Sequence, residues 1–80
     1  MMTETLNWDL YGDHGWQAKT EFGTYTIVPR NLGFECGFHF MCCRQINKVV
    51  PGRTSLEETK HRALEHHLML QKRVEVIGGA

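Results

Sequence analysis

Apolar and polar residues alternate along the first half of this chain, and in the second half they change to a helical spacing. Leu6, Trp8 and Leu10 alternate with polar neighbours, a weak strand signal. Gly12-Asp13-His14-Gly15 reads as a turn. Trp16 to Thr20 alternates next, with Trp16 and Ala18 on one side, and Phe22-Gly23 marks a tight reversal. Thr24 to Val28 is β-branched and aromatic, with Tyr25 and Ile27 sharing a face. Pro29 ends that strand or places it at a sheet edge.

The strongest strand pattern runs from Phe34 to Arg44. Phe34, Cys36, Phe38, Phe40 and Cys42 fall on one face, and Glu35, Gly37, His39, Met41 and Cys43 on the other. Gln45 to Val50 prolongs it or returns as a short strand, and Pro51-Gly52 reads as the turn that stops it.

Thr54 to Lys72 predicts the one long helix. Ser55 is a good N-cap, and Glu58 three residues later fits a capping box. Glu57 and Glu58 suit the first turn, Lys72 and Arg73 the last. At about 100° per residue, Leu56, Thr59, Ala63, His67, Leu70 and Val74 share one face. Glu57, Arg62, Glu65 and His66 are expected to be solvated. Glu58–Arg62 and Glu57–His61 are candidate i, i+4 pairs. Val74 to Ile77 forms a last turn or a tail.

Short links between strands favour hairpins over parallel crossovers. The expected fold is α+β: an antiparallel meander of three or four strands with the C-terminal helix packed on one face. Eighty residues make a single small domain spanning 1–80, with 1–5 and 78–80 as loose ends.

Composition changes this picture in two ways. The formal net charge is zero, which argues against strong non-specific attraction to nucleic acid or acidic membranes. All eight aromatic residues lie before Met41, which marks the first half as the sheet. No apolar run is long enough to cross a membrane, and the start of the chain lacks a signal-peptide layout. A cytoplasmic location is the expectation, with Cys36, Cys42 and Cys43 as reduced thiols.

Cys36-x-x-His39-x-x-Cys42-Cys43, with His61, His66 and His67, invites a zinc reading. On a strand, however, Cys36 and Cys42 stand about 20 Å apart. His39 and Cys43 point to the opposite face, and the helical histidines miss chelating spacing. Core cysteines are the better reading. Cys43 beside Arg44 is the best candidate for an exposed thiol, and a Cys/His pair using His67 is the catalytic alternative. No Gly-rich phosphate loop, serine-nucleophile motif or paired-carboxylate arrangement is present. The expectation is therefore a protein that is not an enzyme and takes no cofactor.

Three further stretches carry a resemblance. They are Trp16-x-Ala18, Gly23-x-Tyr25-x-Ile27, and Ser55-Leu56-Glu57-Glu58-x-Lys60 followed by Ala63-x-x-His66-His67. Together they resemble small uncharacterised proteins of bacteriophages and prophages with a "W-x-A … G-x-Y-x-I … SLEEAK … AxxHH" layout, over roughly Leu6 to Lys72. Thr59 replaces the usual Ala. The resemblance implies an accessory protein in a bacterial host's cytoplasm that binds a host protein, with anti-CRISPR inhibitors as one such class.

The residues expected at a partner interface are Trp8, Tyr11, His39, Met41, Arg44, Lys48 and Arg53. Aromatic and Met residues are typical anchors of protein interfaces. A homodimer through a free edge at Thr24 to Val28 is a further option. The alternative function is a small nucleic-acid-binding domain, similar in layout to double-stranded-RNA-binding domains. It would use the bases around the helix start, although Glu57 and Glu58 repel phosphate there. A metal- or thiol-dependent protein is the third reading.

Overall fold

Period-two alternation in the first 54 residues resolves into five strands rather than three or four. They are β1 (Asp9–Tyr11), β2 (Gly15–Lys19), β3 (Gly23–Arg30), β4 (Gly33–Phe40) and β5 (Ile46–Thr54), followed by one helix, α1 (Leu56–Gly78). The structure is a computed structural model that describes the backbone of residues 6–41 and 45–78 and the side chains of residues 6–41 and 45–73. The strands form one antiparallel meander in the order β1-β2-β3-β4-β5, and α1 packs on one face, mainly over β4 and β5. The smallest dimension is 20 Å. That is the thickness of two layers at about 10 Å each, so among the described residues the second sheet face has no covering layer.

The turns follow local chemistry. Between β2 and β3 the Thr20 hydroxyl accepts from the backbone N–H groups of Phe22 and Gly23, each at 3.2 Å. This is the side-chain-to-backbone turn that threonine offers. Gly23 sits where a Cβ would run into the carbonyl of His39 and come within 2.9 Å of the Phe40 Cα. Arg30 and Gly33 close a two-residue hairpin between β3 and β4.

The core lies between sheet and helix. Ala18, Tyr25, Ile27, Cys36, Phe38, Val50 and Ala63 are fully buried. Ile27 faces Cys36, and Tyr25 faces Phe38, across β3 and β4, so the face expected to be inward is the inward one. From α1, Thr59, Ala63 and His67 reach this core. Ala63 lets the helix sit close. Ser55 caps α1 by accepting from the Glu58 N–H at 3.2 Å, and the buried Thr59 hydroxyl donates to the Ser55 carbonyl at 2.7 Å.

Several expectations need correction. Pro51 and Gly52 do not stop β5 but lie inside it. Phe34 pairs Thr54 and Cys36 pairs Val50, so β5 spends two extra residues in a bulge at that point. A bulge on an edge strand is where a proline, lacking its N–H, is tolerated. Pro29 likewise stays within β3, beyond the point where β2 ends its pairing at Trp16–Ile27. β3 is paired on both sides, so Thr24 to Val28 is not a free edge and cannot carry a dimer.

α1 runs on to Gly78, past Lys72 and Arg73, which are therefore not in its last turn. Glu58 pairs Arg62 at 3.0 Å, as expected, instead of reaching back to complete the box. His61 pairs Glu65 at 3.5 Å rather than Glu57. β4 ends at Phe40. Cys42, Cys43 and Arg44 lie outside the described residues, as do 1–5 and 79–80.

Candidate protein-binding surface

The uncovered sheet face is built from the residues that alternate with the core. Tyr11 comes from β1; Thr24, Thr26 and Val28 from β3; Glu35, Gly37 and His39 from β4; Ile46 and Lys48 from β5. Gly37 has no side chain, and its neighbours do. The result is a hollow of about 230 Å³ lined by Tyr11, Thr24, Thr26, Val28, Glu35, Gly37, His39 and Ile46. Its rim is apolar and accessible, with Tyr11 48% and Ile46 68% exposed. Small-molecule sites run to about 300–1,000 Å³. This hollow is smaller and suits one side chain inserted from a partner, as at interface hot spots.

The charges around it are tied to one another. Arg30 Nε donates to Glu35 Oε1 at 3.0 Å, and Lys48 Nζ lies 3.7 Å from the same oxygen. The hydrogen bond from Arg30 holds the Glu35 carboxyl below the usual carboxylate range, with the Lys48 charge adding to it. Two cations that would serve a phosphate are already engaged with a carboxylate.

The residues expected at an interface divide between places. Tyr11 and His39 line the hollow, and Lys48 adjoins it through Glu35. Met41, 73% exposed, sits in the turn after β4. Trp8 is half-buried and packs against the core from the helix side of the sheet, so it is not an exposed anchor. Arg53 is exposed at the far end of β5, beside Arg30, Leu32 and Pro51. Arg44 lies outside the described residues. Ile46, Val28 and Gly37 complete the lining without any motif that marks them in the sequence. A glycine within a strand was the available signal, since it marks a place where another group approaches.

The helix side holds titratable groups of a different kind. His66 is half-buried rather than fully solvated: its Nδ1 lies 2.6 Å from the Tyr25 hydroxyl, and its ring packs on Phe38 at 5.2 Å. Burial, followed by the charges of His67 and Arg73, lowers the His66 pKa. Burial raises that of Tyr25 well above its ordinary range. His67 packs against the rings of Phe22 and Tyr25. Cys36 is fully buried, and burial pushes its thiol up to about 12. It is protonated and closed to substrate, so it cannot serve as the nucleophile of a Cys/His pair.

Among the described residues no three His, Cys, Asp or Glu side chains come together in a way that would hold a metal ion. No helix among them is long and apolar enough to cross a membrane. Comparison with protein families, curated proteins and solved structures finds no match to this chain. A functional reading therefore rests on the chain's own surfaces.

Proposed function

We propose that this chain is a non-catalytic accessory protein that acts by binding a protein partner on the open face of its sheet. The observation that carries this is the hollow at Gly37, ringed by exposed Tyr11 and Ile46 on a face that no other layer of the described residues covers. Burying such a rim is favourable at about 25 cal/mol per Å², and one anchor in a pocket supplies a large share of a typical interface energy. The engagement of Arg30 and Lys48 by the Glu35 carboxylate leaves one net positive charge there rather than a row of free cations, which favours a protein over a phosphate backbone. The resemblance to phage proteins suggests a host protein in a bacterial cytoplasm as the target, with defence systems such as CRISPR-Cas among the candidates.

The test is affinity capture from bacterial lysate, with and without nuclease, comparing wild type with Gly37→Val. A Cβ at Gly37 meets the Cγ2 methyl of Ile46 at 3.3 Å and the Asn47 carbonyl oxygen at an ordinary 3.9 Å, so a small shift of the exposed Ile46 side chain lets the substitution fill the hollow while the strand keeps its pairing. A discrete protein retained after nuclease and lost with Gly37→Val supports the proposal. Recovery that vanishes with nuclease overturns it in favour of nucleic-acid binding, and capture indifferent to Gly37→Val overturns the assigned surface.

A further inference from the structure

β5 is the last strand of the sheet, and among the described residues nothing pairs with its outer edge. An edge strand presents a row of open N–H and C=O groups to any strand that fits. The two halves of this edge differ. From Val49 to Thr54 it is blunted by register shifts and by Pro51. Ile46, Asn47 and Lys48 instead run in plain register opposite His39, Phe38 and Gly37. That half holds no proline, and its one charge is already engaged by Glu35. Beside it runs a groove of about 630 Å³ between β5 and one flank of α1, lined by Val49, His61, Arg62, Glu65 and Met69 among others.

We propose that a second copy of this chain docks here, pairing β5 with β5 antiparallel across a two-fold axis and bringing the two α1 flanks together over the groove. An antiparallel strand pair is self-complementary, so a symmetric dimer needs no second sequence. The flank's charges are met within each copy, Arg62 by Glu58 at 3.0 Å and Glu65 by His61 at 3.5 Å, so a second copy need not supply partners for them, and a net charge of zero adds no long-range repulsion.

Area decides how strong the dimer is. Three paired residues span only about 10 Å, too short a contact to bury the roughly 800 Å² that each partner of a stable complex buries. The helix flank has to contribute, and spare apolar surface lies there in Met69, 45% exposed. The dimer is accordingly weak and depends on concentration.

Sedimentation equilibrium on the full chain, from low micromolar to near-millimolar, tests this, with amide hydrogen exchange on β5 alongside. The mass should rise from 9.3 kDa towards twice that value, with the amides of Ile46 to Lys48 gaining protection as it rises. Met69→Glu places a third carboxylate in the groove, on an exposed position that does not line the hollow at Gly37. It should shift the midpoint by about tenfold, equivalent to about 1.4 kcal/mol. A mass that stays at the monomer value overturns the proposal. So does a dimer that Met69→Glu leaves unchanged while the β5 amides stay unprotected.

Discussion

Replacing Tyr25 by Phe isolates one hydrogen bond in the layer between sheet and helix. The Tyr25 ring is fully buried and packs on Phe38 at 4.4 Å, and phenylalanine keeps that packing. What it loses is the hydroxyl 2.6 Å from His66 Nδ1. Burial keeps Tyr25 protonated, so the hydroxyl donates and the neutral imidazole accepts. A neutral hydrogen bond contributes about 0.5–1.5 kcal/mol net. His66 is only half-buried, so water can replace the lost donor, and about 1 kcal/mol is the expected loss at pH 8. For a chain of this size that lowers the melting temperature by about 4–8 °C.

The pH dependence carries the sharper signature. The folded pKa of His66 is depressed. In the window below the ordinary value of about 6.5, the unfolded chain binds a proton that the folded chain resists. Wild-type stability from this group is therefore complete above that value and is lost as pH falls through it. A protonated Nδ1 no longer accepts, so the difference between wild type and Tyr25→Phe should shrink over the same window. Thermal melts of both proteins between pH 8 and pH 5 measure this. A variant that melts with the wild type at pH 8, or a difference that grows as pH falls, refutes the assigned donor and acceptor.

Two further substitutions test the elements that hold the layers together. Gly23→Ala should destabilise the chain by about 1–3 kcal/mol, because the new Cβ meets the backbone of β4. Chemical denaturation reads the loss, and wild-type stability would show that the hairpin is looser than described. Ser55→Ala removes the cap on the Glu58 N–H and should lose about 1 kcal/mol. Restoration by Ser55→Asp in the same assay separates capping from any other role of the side chain.

Much of this architecture is legible locally because period two and period 3.6 are local rules. Phe34, Cys36, Phe38 and Phe40 declare one face of β4. Thr59, Ala63 and His67 declare the buried stripe of α1, and all three are buried. The course of β5 is not legible. Pro51-Gly52 carries the composition of a strand stop, and only pairing with β4 shows that a bulge makes room for it. His66 escapes for a related reason. It lies about 60° around the helix from Ala63, at the border of the stripe, and what draws it inward is Tyr25, 41 positions away. Trp8 alternates like its neighbours, but its burial depends on what packs beside it.

The same division governs the candidate site. That Glu35, Gly37 and His39 share the face away from the core follows from alternation alone, and the sheet confirms it. That this face is concave does not follow from alternation. The hollow exists because Gly37 is flanked across the strands by Thr26 on β3 and by β5, with Ile46 two pairs along. The position of Ile46 is in turn fixed by a register that shifts at the bulge. The binding feature is thus a product of cross-strand neighbours rather than of any motif along the chain. Substitution at Gly37 should disturb it more selectively than substitution at the conspicuous aromatic Trp8, whose removal would act through the core.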